Sequence, residues 1–131
     1  MAMWALLSGL RGDLAVYAAV QAELRRQRVD TLFVLGDLIG PEREANALLE
    51  RLQQPRRGDL QPHCLYGWWE EQLLAERGFR GERRADALRQ SGGEAAVAAL
   101  VQAVDPAHMP WLAALQFGFV ELDCALLHGS S

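Results

Sequence analysis

Residues 31–37 of this chain form an apolar run that ends in a glycine and an aspartate, Thr31-Leu32-Phe33-Val34-Leu35-Gly36-Asp37. A short, uninterrupted apolar run with β-branched and aromatic members, closed by turn residues, is typical of a buried strand. Strands buried on both faces occur in parallel sheets that are covered by helices. The run therefore predicts a central strand, with Gly36 and Asp37 in the loop at its carboxyl end.

Similar units lie on both sides of this strand. Upstream, Trp4-Ala5-Leu6-Leu7 is a short apolar run, and a helical pattern begins at Asp13. The apolar face of that helix holds Leu14, Tyr17, Val20 and Leu24. Downstream, the apolar face of a second helix holds Ala45, Leu48, Leu49 and Leu52, and a third strand fits His63-Cys64-Leu65-Tyr66. The alternation of strands and helices predicts an α/β fold of βαβαβ units, with the strands in one sheet flanked by helices.

The rest of the chain changes character. Strand signals vanish around residues 69–115, where Val97, Leu100, Val101 and Val104 form a helical stripe. Gly92-Gly93 predicts a break before that stripe, and Asp105-Pro106 predicts the start of another short helix. Residues 117–122 and 124–127 are expected to be strands of a hairpin that turns near Asp123. We therefore expect a helical insertion followed by a hairpin.

Composition limits the class of protein. The chain has 131 residues, of which 50% are hydrophobic and 23% charged, which predicts a single globular domain over 1–131. The net charge of −4 and the scattered arginines give no attraction for nucleic acid or an anionic membrane. Cys64 and Cys124 are far apart and are expected to be reduced. The apolar start, residues 1–7, is too short to cross a bilayer, and we expect a cytoplasmic protein.

Ligands of open α/β sheets bind at the carboxyl ends of the strands, so the loops there are the candidate site. In chain order these loops are Ser8-Gly9-Leu10-Arg11-Gly12-Asp13, Gly36-Asp37-Leu38-Ile39-Gly40, Gly67-Trp68-Trp69-Glu70 and His128-Gly129-Ser130. They resemble, in order and spacing, the calcineurin-like metallophosphoesterase signature D-x-H, G-D, G-N-H-(D/E) and H-G-(S/T). Residues 110–115 also resemble the W-L-x-x-L stretch of that family. The resemblance implies the N-terminal portion of a metallophosphoesterase-type sandwich.

Phosphoester hydrolysis in that family uses two metal ions held by aspartate, histidine and asparagine. Only Asp37 and His128 match its ligand positions, and we name them as the candidate metal ligands. At the remaining positions the ligands are replaced, by Gly9, Arg11, Trp68 and Trp69. The closing G-H-x-H motif would lie beyond Ser131. We therefore expect a degenerate site with no cofactor, the alternative being weakly bound Mn²⁺ or Zn²⁺.

Each candidate residue also has a structural interpretation. Asp37 can brace its loop instead of binding metal, and His128 can be an ordinary residue at a strand end. The two tryptophans can fill the space of a lost metal site, form an interaction surface, or stack on a base. Arg11 and Gly12 can hold an anion at the start of the following helix. We also expect the guanidinium of Arg11 to pair with the carboxylate of Asp37, as a replacement for the metal charge.

Three functions are consistent with this sequence. The first is a catalytically degenerate metallophosphoesterase relative that acts as a binding or scaffold protein. The second is an active phosphoesterase with an altered or mononuclear metal site, and the third is a small anion or nucleotide binder. Because the resemblance covers only the first part of the fold, we expect a fragment or truncated form. Its incomplete sheet would then be covered by a second copy or by a protein partner.

Overall fold

A computed structural model describes residues 3–116, 118–121 and 124–127, with side chains for residues 3–116. Strands Trp4–Leu7 (β1), Thr31–Val34 (β2) and Pro62–Cys64 (β3) form a parallel sheet in the order β1-β2-β3. Helices Leu14–Gln27 (α1) and Asn46–Gln53 (α2) connect them. The predicted α/β class and the βαβαβ order are confirmed.

The central position of β2 follows from its composition. Leu32, Phe33 and Val34 are at most 1% exposed. Leu32 and Val34 belong to the main core cluster, which also contains Tyr17 and Leu24 of α1. Each such buried side chain contributes roughly 1.5–3 kcal/mol. The residues predicted for the inner face of α2 are buried as well: Ala45, Leu48, Leu49 and Leu52.

Local signals set the ends of α1. Asp13 caps its start, with a carboxylate oxygen that accepts the N–H of Val16 at 3.1 Å. Arg28 ends the helix in the left-handed conformation, at φ 55°. The same helix places Gln21 in the core, where its amide exchanges two hydrogen bonds of 3.0 Å with the backbone of Leu60. This contact fixes the approach of the chain to β3.

The segment before β3 also carries a buried ion pair. Asp59 has no exposed side-chain surface and accepts two hydrogen bonds of 2.9 Å from the guanidinium of Arg51 on α2. Arg25 of α1 lies 3.6 Å from the same carboxylate. The pair links α2 to the loop that enters the sheet.

The predicted helical insertion is confirmed. It contains Trp68–Glu76 (α3), Asp86–Ala103 (α4), a short 3-10 helix Pro106–His108 and Met109–Ala113 (α5). Helix α4 is kinked at Gly93, where φ is 77°. The guanidinium of Arg77 donates to the carbonyls of Val101 and Val104, at 2.6 and 2.9 Å, and so ties α3 to the end of α4.

The last described segments are Gly118–Glu121 (β4) and Cys124–Leu127 (β5), which pair antiparallel. The predicted pair of strands is therefore confirmed, whereas the turn at Asp123 lies outside the described residues. His128, Gly129 and Ser130 lie outside them too. Within the described part of the chain, no helix is long and apolar enough to cross a bilayer.

Candidate functional site

The loops that follow β1, β2 and β3 meet at one edge of the sheet, as the sequence predicts. The backbone N–H of Arg11 donates to the carbonyl of Asp37 at 2.9 Å, and that of Gly12 donates to Leu38 at 2.8 Å. From the third loop, the N–H of Trp69 donates to a carboxylate oxygen of Asp37 at 3.3 Å. Asp37 therefore bonds to both neighbouring loops, through its carbonyl group to the first and through its carboxylate to the third.

Glu70 is the buried centre of this arrangement. Its side chain is fully buried, and its carboxyl group accepts the backbone N–H groups of Asp37 and Gly67, both at 2.7 Å, and of Ile39 at 3.2 Å. Burial raises the pKa of Glu70 to about 8, and the nearby charge of Asp37 acts in the same direction, while the three N–H donors oppose the rise. Glu70 thus holds together the loops after β2 and β3.

Sequence reasoning assigned no separate role to Glu70. The usable signal was its position: it is the third residue of α3 after Gly67, where a glutamate can bond back to the N–H that precedes the helix. The pattern indicates such a cap, but it gives no hint that Asp37 and Ile39 also donate to the same carboxyl group.

Asp37 takes an unusual backbone conformation, with φ 52°. Aspartate tolerates this left-handed region better than most residues, because its short side chain can bond locally. Its carboxylate accepts from the start of α3, so the geometry agrees with the loop-bracing interpretation. The geometry does not test the ligand interpretation.

The guanidinium of Arg11 forms its ion pair with Glu42, and the predicted side-chain pair with Asp37 is wrong. Arg11 also has left-handed backbone, with φ 47°, and it is the backbone N–H of Arg11 that reaches Asp37. The guanidinium instead lies 4.8 Å from the ring centroid of Trp69. Arg11 and Glu42 have side chains that are 39% and 44% exposed, so this pair is a partly solvated one.

Gly40 lies directly against the ion pair of Arg11 and Glu42. A Cβ atom at Gly40 would meet the carboxylate of Glu42 and would lie 3.0 Å from Nε of Arg11. That Nε is itself buried and has no hydrogen-bond partner among the described residues. The close approach explains why a residue without a side chain suits this position.

Trp68 and Trp69 are the first two residues of α3. Their rings contact each other edge to face, with centroids 4.9 Å apart, and both pack against the hydrophobic core. These contacts agree with the space-filling interpretation. Both side chains keep some exposed surface, so the surface and base-stacking interpretations stay untested.

The glycines of the first loop serve the backbone. Gly9 and Gly12 have φ values of 72° and 84°, which favour glycine. A Cβ atom at Gly12 would lie 3.0 Å from Cγ of Arg43, whereas one at Gly9 would meet nothing within 4 Å. The N–H groups of Arg11 and Gly12 are already bonded to the neighbouring loop. These two N–H groups are therefore not available to an anion at this loop.

A cavity of about 230 Å³ lies beside this loop and is lined in part by Ser8, Gly9, Arg11 and Arg43. The carboxylates of Asp13 and Glu42 line it too, and Arg43 lies 3.2 Å from Asp13. Both arginines thus already have a carboxylate partner. The cavity has room for a small anion, but its lining charges are balanced.

The described side chains do not fit a pair of metal ions. Among residues 3–116, no group of three or more His, Cys, Asp or Glu side chains is arranged to hold a metal. Glycine, arginine and tryptophan at the other positions offer no ligand atom of the kind that Mn²⁺ or Zn²⁺ requires. His108 is engaged elsewhere, with Nδ1 2.8 Å from the amide of Gln53. His128 lies outside the described residues.

Comparison with known proteins agrees with this architecture. No protein-family model matches the chain, and no curated protein does. Among solved structures, the chain is similar to the crystal structure of a metallophosphoesterase from Sphaerobacter thermophilus, with a TM-score of 0.64 and 21% identity. The match covers 99% of this chain and 48% of that structure, so the chain spans about half the length of its structural relative. At this level of identity the likeness shows the fold, which is α/β of the metallophosphoesterase type.

Proposed function

We propose that this chain is a catalytically degenerate protein of metallophosphoesterase fold that acts as a binding or scaffold protein. The observation that carries the proposal is the guanidinium of Arg11, which lies against Trp69 at the edge of the sheet where the signature would place its metal ligands. A permanent cation and an indole stand where the family has two histidines. Neither residue can bind a divalent metal ion.

Electrostatics supports this choice. A guanidinium about 4 Å from a divalent cation is repelled by about 8 kcal/mol at an effective dielectric of 20. The exposed fraction of Arg11, 39%, lets the side chain move and lowers that cost. Moving it would, however, give up the ion pair with Glu42 and the contact with Trp69. A catalytic zinc normally has three protein ligands. The motif positions retain two ligand residues, Asp37 and His128, which is one fewer than such a site needs.

Metal content and turnover, measured on the same preparation, test the proposal. Purified without chelators and then offered Mn²⁺ or Zn²⁺, the protein should retain well under one equivalent of metal per chain. Hydrolysis of a phosphomonoester or phosphodiester should be no faster than in metal-containing buffer. Two tightly held equivalents, or turnover that Asp37→Asn abolishes, would instead support the active phosphoesterase with an altered site.

A small-anion binder is the second candidate, favoured by the cavity beside Arg11 and Arg43. Its balanced charges make it the weaker choice, because an anion must compete with Glu42 and Asp13. A phosphate titration distinguishes the two candidates: saturable binding that Arg11→Leu removes would favour the anion binder.

As a scaffold, the chain would instead present a protein surface, in a homo-oligomer or to a partner that covers its sheet.

A further inference from the structure

His108 is a buried histidine that lies outside the strand-end loops. It is the last residue of the 3-10 helix Pro106–His108, and it is 9% exposed. Its Nδ1 lies 2.8 Å from the side-chain nitrogen of Gln53, the last residue of α2. The same nitrogen donates to the carbonyl of Leu49 at 3.0 Å. The contact therefore connects the end of α2 to the turn that leads into α5.

The orientation of the Gln53 amide determines which ring nitrogen of His108 carries the proton. An amide nitrogen has two hydrogens, one for each of these contacts, and it accepts no hydrogen bond. The opposite orientation would place the amide oxygen 3.0 Å from the carbonyl oxygen of Leu49, and two acceptors repel each other. Gln53 is thus the donor and Nδ1 the acceptor, so the proton of the neutral ring lies on Nε2. An imidazolium ring has a proton on Nδ1 as well, and it is unable to accept the amide N–H.

The charged groups of the neighbouring segments differ in their availability to His108. Glu50 of α2 lines the same cavity as the ring, a cavity of about 360 Å³. The carboxylate of Asp105 caps the 3-10 helix, and the guanidinium of Arg51 is bound to a buried carboxylate. Helix α5 and residues 99–104 at the end of α4 contain no ionisable side chain. Glu50 is therefore the carboxylate that a protonated His108 can approach.

We propose that the contact between Gln53 and His108 is a pH-sensitive switch, which is formed when the ring is neutral and breaks when the ring binds a second proton. The imidazolium then turns from the amide of Gln53 toward the carboxylate of Glu50. A free histidine takes up this proton at about pH 6.5, so the switch operates close to neutral pH. None of these residues belongs to the strand-end loops, and the inference is therefore independent of the proposed function.

The start of α2 has a different connection to the same turn. The side-chain oxygen of Asn46, the first residue of α2, accepts the backbone N–H of Asp105 at 2.7 Å. Neither of these two groups titrates near neutral pH, so this hydrogen bond persists in acid. Protonation of His108 thus releases the end of α2 while its start stays attached.

Nitrogen NMR of the whole chain, labelled at histidine, tests the protonation of the ring. At about pH 7.5, the signals of His108, assigned by their loss in His108→Asn, should show a protonated Nε2 and an unprotonated Nδ1. At about pH 5, both nitrogens should be protonated. A neutral ring that carries its proton on Nδ1 would overturn the inference, and so would a ring that stays neutral at the lower pH.

A double-mutant cycle of Gln53→Ala and His108→Ala measures the contact itself, because the cycle cancels the effects of pH on other groups. At about pH 7.5 the coupling should change the unfolding equilibrium constant roughly 2- to 10-fold, and at about pH 5 by less than about 1.5-fold. His108→Asn is the matched control, since its side-chain oxygen can accept at the position of Nδ1 and does not titrate. The cycle of Gln53→Ala built on this variant should give the same coupling at both pH values.

Two outcomes of these cycles would contradict the switch. One is a coupling between Gln53 and His108 that is equal at the two pH values. The other is a coupling that also falls in acid for the His108→Asn cycle, which would place the titrating group elsewhere. Asn46→Ala should lower the stability equally at both pH values, and a loss confined to neutral pH would contradict the release of the end of α2 alone. Circular dichroism establishes that each variant is folded, and the NMR measurement on the wild type requires no variant to be stable.

Discussion

Glu70 and Asp37 hold each other's loops in place. The buried carboxyl group of Glu70 accepts the backbone N–H of Asp37 at 2.7 Å, and the carboxylate of Asp37 accepts the N–H of Trp69, next to Glu70 in the chain. Each acidic side chain thus stabilises the backbone that carries the other. The loops after β2 and β3 should therefore form and break together.

Shortening the side chain of Glu70 should lower the free energy of unfolding more than replacing its carboxyl group by an amide. Glu70→Ala leaves three buried N–H donors without a partner and opens a cavity, so we expect a loss of more than about 3 kcal/mol. Glu70→Gln keeps an oxygen for Asp37 and Gly67 and turns its amide nitrogen toward Ile39. Burial already disfavours the charged form of Glu70, whose pKa it raises to about 8, and the N–H of Ile39 is the one donor that loses its acceptor, so we expect a loss under about 2 kcal/mol. Urea unfolding checks the order; equal losses would show that the hydrogen bonds contribute little.

Double-mutant cycles can identify which carboxylate is the ion-pair partner of Arg11. Arg11→Ala should cost about 0.5–2 kcal/mol, because it removes a partly exposed ion pair and a cation–π contact. The Arg11–Glu42 cycle should show a coupling of about 0.2–1 kcal/mol, whereas the cycle of Arg11 with Asp37→Asn should show almost none. The unfolding free energies of the single and double variants provide both numbers. A larger coupling with Asp37 than with Glu42 would contradict the structure.

Alanine substitutions at Gly9 and Gly12 should distinguish the stability cost of backbone strain from that of steric crowding. Both Gly9→Ala and Gly12→Ala place a Cβ on a residue of positive φ, which costs roughly 1–2 kcal/mol. Only at Gly12 does the new Cβ also meet Arg43, so we expect a further 1–3 kcal/mol, roughly, for overpacking at that position. Thermal unfolding of the two variants gives the difference directly. Equal losses would mean that Arg43 moves aside freely.

Asp59 should make stability depend on acid pH. The guanidinium of Arg51, together with the N–H of Arg56 and the charge of Arg25, holds the pKa of Asp59 below its ordinary value of 3.8. A carboxyl group with a lowered folded-state pKa stabilises the fold fully above its unfolded-state pKa and loses that contribution as pH falls through the folded-state pKa. The wild type should therefore lose stability below about pH 4 more steeply than Asp59→Asn.

At pH 7 the same substitution should cost roughly 3–5 kcal/mol, since it leaves Arg51 buried without a countercharge. The companion change Arg51→Met, made together with Asp59→Asn, should recover part of the loss because it removes the buried charge. Unfolding curves at several pH values measure both effects. Parallel curves for wild type and Asp59→Asn in acid would argue against a lowered pKa.

Most of the backbone could be predicted from the sequence, whereas much of the site's hydrogen bonding could not. The strands around Leu6 and Phe33 and the kink at Gly93 follow from local composition, which acts over a few residues. The partner of Arg11 depends on how the chain after Gly40 folds back, and that is a tertiary contact between two flexible side chains. Periodicity carries no information about which carboxylate a guanidinium reaches. For the same reason, the sequence does not reveal that backbone N–H groups of the loop after β2 donate to Glu70.

The kink at Gly93 and the hydrogen bonds of Arg77 to the end of α4 determine how this part of the molecule can move. The guanidinium of Arg77 binds the carbonyls of Val101 and Val104, so the second half of α4 is anchored to α3, whereas Gly93 interrupts the helix before it. The first half is held against α3 as well, since Leu88 is buried and its N–H donates to the side-chain oxygen of Gln72 at 3.2 Å. The bend at Gly93 therefore lets both halves of α4 lie against α3, and we expect the two helices to move as one body. Spin labels on the two halves of α4 should consequently report equally restricted motion.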